Sequence, residues 1–191
     1  MTNYKKFIIL WLGELISTIG SGLTAFGLGV YVLKTTGSAT SMALVTLCGF
    51  LPSLLLSIFA GVLADKYDRR LMMVLGDGLS GMGILFILVM MLINKCDLWH
   101  IYAGVLISST FSSLMQPAFN ATITDLVGKE NYTKASGLVS IAGSSRFLIS
   151  PLLAGILLSY FDIEILLIID ICTFIITVGV TLVIKRGFKT V

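Results

Sequence analysis

The amino-acid sequence predicts an all-α membrane protein with six membrane-spanning helices in one domain over residues 1–191, and three observations lead there. Of its 191 residues, 57% are hydrophobic and only 12% charged, where a soluble domain carries about a quarter charged residues. The mean hydropathy is +1.01, more apolar surface than a water-soluble fold of this length can bury. The apolar residues fall in six continuous runs, each long enough to cross a hydrocarbon core of about 30 Å, which takes about 20 residues of helix. Strands of a membrane barrel alternate apolar and polar residues over about 10 positions, and these runs do not alternate.

The first run, 7–33, follows Lys5 and Lys6 as the apolar part of a signal peptide would. It exceeds the roughly 7–15 apolar residues of such a peptide and lacks a convincing cleavage site, so it reads as a retained helix. The second, 42–64, contains Pro52 and stops at Asp65; the third is 71–93. The fourth, 98–121, carries Ser108, Ser112, Gln116 and Asn120 four apart, which at 3.6 residues per turn makes one polar face. The fifth, 135–160, contains Pro151 and ends near Asp162, and the sixth is 163–184. Connections are short, the longest being 122–134, so the expected activity sits within the bilayer.

Charge sets the expected topology. Of the 13 Lys and Arg residues, Lys5, Lys6, Lys66, Arg69, Arg70, Lys129, Lys134, Lys185, Arg186 and Lys189 all fall on one side of the alternating spans. The positive-inside rule makes that side cytoplasmic and puts both termini there, in a cell membrane. The net charge of +3 therefore reports topology, and nucleic acid is not an expected partner. Cys48, Cys96 and Cys172 form no C-x-x-C pair, so neither a disulfide framework, a metal site nor a cofactor is expected.

The stretch from Gly61 through Asp65, Lys66 and Asp68 to Arg69 and Arg70 joins the second and third spans. Asp65 sits at a helix C-terminus, where the macrodipole disfavours an anion, so Arg69 and Arg70 are its expected partners in a charge cluster that ties two helices together. Asp77, seven residues on, is expected to complete that cluster. This segment resembles the signature G-x-x-x-D-[RK]-x-G-[RK]-[RK] of the major facilitator superfamily, with Asp68 in place of the glycine. Thr36-Gly-Ser-Ala, Phe50-Leu-Pro, Pro117-Ala and Ile169-Asp170 are similar to its macrolide and multidrug efflux branch. Ser150-Pro151-x-x-Ala154-Gly155 is similar to that branch's antiporter signature, with small residues for close helix approach and a proline kink.

The resemblance implies the six-helix N-terminal half of a major-facilitator-type bundle, made of two inverted three-helix repeats. It further implies a secondary exporter of small lipophilic molecules such as drugs, driven by a proton gradient and working against a second six-helix half. That half would be a second copy of the chain or a separate one. The alternative is a truncated or regulatory membrane module with no transport of its own. Many proton-coupled relatives carry an arginine near the position of Ser108, so the coupling ion stays open.

Four ionisable residues fall inside the spans: Glu14, Asp77, Arg146 and Asp170. A charge near mid-bilayer costs about 2.5–3.5 kcal/mol on insertion scales, so each is expected to face protein or water. Glu14 shares a face with Ser17, Thr18, Ser21 and Thr24, and this stripe, with Ser112, Gln116 and Asn120, is expected to line a substrate or proton pathway. A carboxyl there can exchange a proton or attract a cationic drug. Arg146 is the expected partner of Glu14 or Asp170. An intramembrane serine protease would need a histidine base beside its nucleophile, and His100, predicted at a helix end far from Ser21, does not supply one. The chain is therefore not expected to be an enzyme.

Overall fold

The computed structural model describes residues 3–183, all but short turns of which are α-helical. Helix α1, Asn3–Thr36, has 34 residues, about 51 Å at 1.5 Å per residue, longer than a hydrocarbon core of about 30 Å. The N–H of Gly37 closes it on the Leu33 carbonyl at 2.9 Å. Helix α2, Ala39–Lys66, starts where Ser38 Oγ accepts the Ser41 N–H at 3.2 Å, the usual hydroxyl N-cap. Helix α3, Arg69–Leu92, is capped by Asp68, whose carboxylate accepts the N–H groups of Arg70 and Leu71. A carboxylate at the positive end of a helix is stabilising, which gives the residue standing in for the signature glycine a structural task.

The fourth and fifth predicted spans form one helix, α4, Leu98–Tyr160, broken at Gly128. Gly128 has φ 67° and ψ 172°, a conformation open in practice only to glycine. The expected connection over 122–134 is thus helical apart from that break. Thr122 Oγ1 bonds back to the Ala118 carbonyl, and Ile123 and Leu126 are buried in the core, so packing outweighs the polar composition. The two limbs of α4 are 98–127 and 129–160. Helix α5, Ile163–Val183, follows after Phe161 and Asp162. Ile184 of the sixth predicted span and the basic residues Lys185, Arg186 and Lys189 lie outside the described residues.

Among the described residues, five stretches are long and apolar enough to cross a membrane: Tyr4–Thr36, Ala39–Ser57, Arg69–Leu92, Asn131–Tyr160 and Ile163–Val183. The first limb of α4 is not among them, because its hydroxyls and Gln116 dilute its apolar surface. It lies against α2 and α3 instead: Tyr102 and Ser109 hydroxyls bond the Ser41 and Cys48 carbonyls of α2, and Ser108 and Ser112 meet Ser80 of α3.

Helix pairing follows an internal exchange of the two three-helix repeats. The first span packs on the fifth and sixth, through Trp11 to the Leu138 carbonyl and Ser21 to Asp170. The fourth packs on the second and third, and the third on the sixth. Swapping spans one to three with four to six maps this set of pairings onto itself, the pattern of an inverted repeat.

Two apolar cores result. One, at the end bearing the 61–70 turn, centres on Phe7, Leu10, Met73, Met115 and Phe119. The other, towards the opposite end, centres on Leu28, Ile87, Ile101, Leu166 and Leu167.

Candidate functional site

Between the two cores lies a layer of polar side chains. Glu14 is 8% exposed, Asp77 2% and Asp170 1%, with Ser17, Ser80, Thr173 and Thr177 buried among them. The layer exists because α1 and α5 approach closely at Gly20, where a Cβ would stand 2.5 Å from Thr173 Oγ1 and 3.0 Å from Asp170 Oδ1. At that crossing Ser21 Oγ donates to Asp170 Oδ1 at 3.2 Å, and Thr177 Oγ1 to the Gly13 carbonyl at 3.3 Å. Glu14 and Ser17 are buried, and Ser21 turns to α5.

Asp170 Oδ2 and Asp77 Oδ2 are buried and accept no hydrogen bond from the described residues. Buried acceptors without donors are costly, so both positions are places where a proton or a cation would be held. Asp77 does not complete the arginine cluster; it is buried in the polar layer, one turn before Ser80. Arg146 is exposed on α4, close enough for its charge to reach Asp170 but in no ion pair with it or with Glu14 among the described residues. The expected pair is absent because Asp170 turns towards Ser21 on α1, while Arg146 looks outward from the second limb.

The predicted polar face of the fourth span divides. Ser112 and Ser108 meet Ser80 Oγ at 2.8 Å and 2.7 Å, whereas Gln116 and Asn120 are exposed. The α4 proline signature also divides. Ser150 Oγ donates to the Ile19 carbonyl at 3.0 Å, opposite Gly22, while a Cβ on Gly155 would touch nothing within 4 Å. The close approach is thus made before Pro151, and Gly155 lies on an open face.

At the 61–70 turn the expected cluster is rearranged. Arg69 pairs with Asp125 of α4 at 2.6 Å, and Arg70 donates to the Leu182 carbonyl of α5 at 2.8 Å. Asp65 is exposed and pairs with neither, since both guanidiniums point across the bundle to other helices. Lys66 is exposed, its ammonium 5.9 Å from the Tyr67 ring centroid, and Gly61 borders open space. The turn therefore ties α3 to α4 and α5, and leaves Asp65 available. His100 Nδ1 accepts the Asp97 N–H at 3.1 Å at the start of α4, so it caps a helix and is not beside Ser21.

Sequence reasoning missed Ser80, Asp125 and the glycines of the helix crossings. Asp125 lies 56 residues from Arg69 in a stretch read as a connection, and nothing local marks it. Ser80 is one turn beyond Asp77 and faces the Ser108 stripe, which is the one signal that would have found it.

The family described as transmembrane secretion effectors, of the major facilitator superfamily, matches residues 2–190. Macrolide efflux protein A of Streptococcus pyogenes is 28% identical over 97% of this chain and 47% of its own length. The enterobactin exporter EntS of Salmonella typhimurium is 32% identical over 83% of the chain and 38% of its own. An uncharacterized MFS-type transporter of Bacillus subtilis, YfiS, is 28% identical over 85% and 38%. The chain thus spans about half the length, or less, of these relatives.

Proposed function

This chain belongs to the transmembrane secretion effector family of the major facilitator superfamily, and from that premise we propose that it is one six-helix half of an exporter of small lipophilic molecules, completed by a second half. The observation that carries this reading is Arg146. It is exposed in the middle of an apolar helix, beside Phe147 at 76% exposure. An arginine facing acyl tails costs about 2.5–3.5 kcal/mol or more, so this face belongs against water or protein. Exposed Gln116 and Asn120 on the other limb of α4 support the same conclusion.

In this reading Gln116, Asn120 and Arg146 border the substrate path between the halves, with the 61–70 turn on the cytoplasmic side together with both termini. Protons drive export through the buried carboxyls Glu14, Asp77 and Asp170, with Ser17, Ser21 and Ser112 as hydroxyl neighbours. A carboxyl that is buried without a donor changes its energy strongly when it takes up a proton, and that change can be coupled to rearrangement of the helices around it. Asp65, left unpaired in this half, serves as a contact for the second half, with Arg69 and Arg70 holding the turn that presents it.

The test is accumulation of a panel of lipophilic drugs in cells expressing the chain alone or with a second half, with and without an uncoupler. Uncoupler-sensitive export that is lost in Arg146→Ala supports the proposal; unchanged accumulation in every combination rejects it. The length of the chain relative to its kin favours one second reading, a non-transporting membrane module. Its signature is stable insertion with no export even when a second half is supplied.

A further inference from the structure

At the end of the bundle opposite the 61–70 turn, a cleft of about 100 Å³ opens between the last turns of α1, the end of α4 and the start of α5. Its inner side is apolar, formed by Val30, Leu158 and buried Ile163; its polar groups are Tyr31, Lys34 and Asp162. Ligand pockets for drug-sized molecules run to about 300–1,000 Å³, so this cleft takes only a small head group. It is separate from the polar layer.

Two features specify the chemistry. Lys34 and Asp162 share the cleft, are both exposed, and yet form no ion pair with each other or with any described residue. Opposite charges that share a cleft without touching suit a ligand that carries both signs. Next to it, Tyr160 is 79% and Phe161 53% exposed at the helix end. Aromatic rings and lysine at the end of a spanning helix mark the level of the lipid head groups.

We propose that this cleft binds a phosphate joined by a short spacer to a primary ammonium, as in the head group of an ethanolamine phospholipid. The phosphate takes the Lys34 ammonium and the Tyr31 hydroxyl as donors, and the ligand ammonium donates to the Asp162 carboxylate. A head group without the ammonium leaves Asp162 facing a like charge. A quaternary ammonium cannot donate a hydrogen bond to it. The glycerol and first acyl carbons then lie on Val30, Leu158 and Ile163.

Native mass spectrometry of the full chain, with palmitoyl-oleoyl lipids bearing ethanolamine, choline or glycerol head groups added in turn, tests this. The wild type is expected to retain the ethanolamine lipid at least about fivefold over the other two, the scale of one charge-assisted hydrogen bond. Lys34→Gln and Asp162→Asn, both at exposed positions and checked for native helicity by circular dichroism, should each bring that preference near unity. Equal retention of the three lipids by the wild type overturns the proposal, as does a preference that survives both substitutions. A competition arm with soluble phosphoethanolamine separates the sources. Displacement of the lipid supports the head-group chemistry with a soluble ligand, and retention supports it with the intact lipid.

Discussion

Two seams hold this bundle together, α3 against the first limb of α4 and α1 against α5, and they answer one steric problem with different chemistry. Both bring helices into near backbone contact through glycine. A Cβ on Gly83 would lie 2.6 Å from the Gly104 carbonyl oxygen and 2.7 Å from the Ser108 nitrogen, and one on Gly20 would meet Thr173 and Asp170. The α3–α4 seam then fills its polar interior with neutral groups that satisfy one another, Ser80 with Ser108 and Ser112. The α1–α5 seam encloses a carboxyl instead, with one oxygen bonded to Ser21 and the other without a donor. Close packing by small residues is what helix association in lipid requires. The two seams thus differ in polar content, hydroxyls that satisfy one another in the first and a buried carboxyl with a donorless oxygen in the second.

The strongest way to break this comparison is at Gly83. Gly83→Ala forces Cβ against backbone on two sides and should cost about 3 kcal/mol, the upper range for overpacking, read as a lowered unfolding midpoint in detergent. A midpoint within error of wild type would show that the α3–α4 seam is compliant. Next, Ser80→Ala removes the shared partner of two hydroxyls and should cost about 1–2 kcal/mol, with export by the assembled transporter retained. Loss of export at unchanged stability would move function into that seam.

Asp170→Asn keeps an oxygen for Ser21 and removes the carboxyl. Its stability should stay within about 1 kcal/mol of wild type, because the Ser21 hydrogen bond is kept and no ion pair is broken, while the uncoupler-sensitive export proposed above is lost in cells. A fall well beyond that would recast the α1–α5 seam as structural. A smaller effect belongs to the Arg69–Asp125 pair that ends the α3–α4 seam. The two side chains are 21% and 44% exposed, so Arg69→Gln should cost about 0.5 kcal/mol after solvent screening. Asp65→Asn, exposed and without an ion pair in this half, should leave the thermal midpoint of the isolated chain where it is.

Much of the fold was legible because helix formation is local. Continuous apolar runs marked the stretches that are helical, although the fourth and fifth run together into one helix broken at Gly128. Ser38 and Asp68 are caps of ordinary kinds, and only the polar 122–134 stretch misled, since Ile123 and Leu126 are held by tertiary packing. The candidate site was legible as a set of residue types and not as a set of partners. Glu14, Asp77 and Asp170 stood out as costly in a bilayer, and they are buried as that cost demands. Their neighbours did not follow: Arg146 is exposed, Asp77 lies in the buried polar layer and not with the arginines, and Arg69 reaches across 56 residues to Asp125.

The sequence by itself determined that this is a helical, multi-pass membrane protein, and that a few charged groups must be sheltered from lipid. Those properties depend on backbone hydrogen bonds four residues apart and on the solvation of single side chains, both of which are written locally. Only the tertiary structure decided that Ser112 turns to Ser80 while Gln116, one turn on, faces out, and that Asp65 is left without the arginines nearest to it. Such choices depend on the rotation and register of one helix against another, which small residues at distant crossings set together.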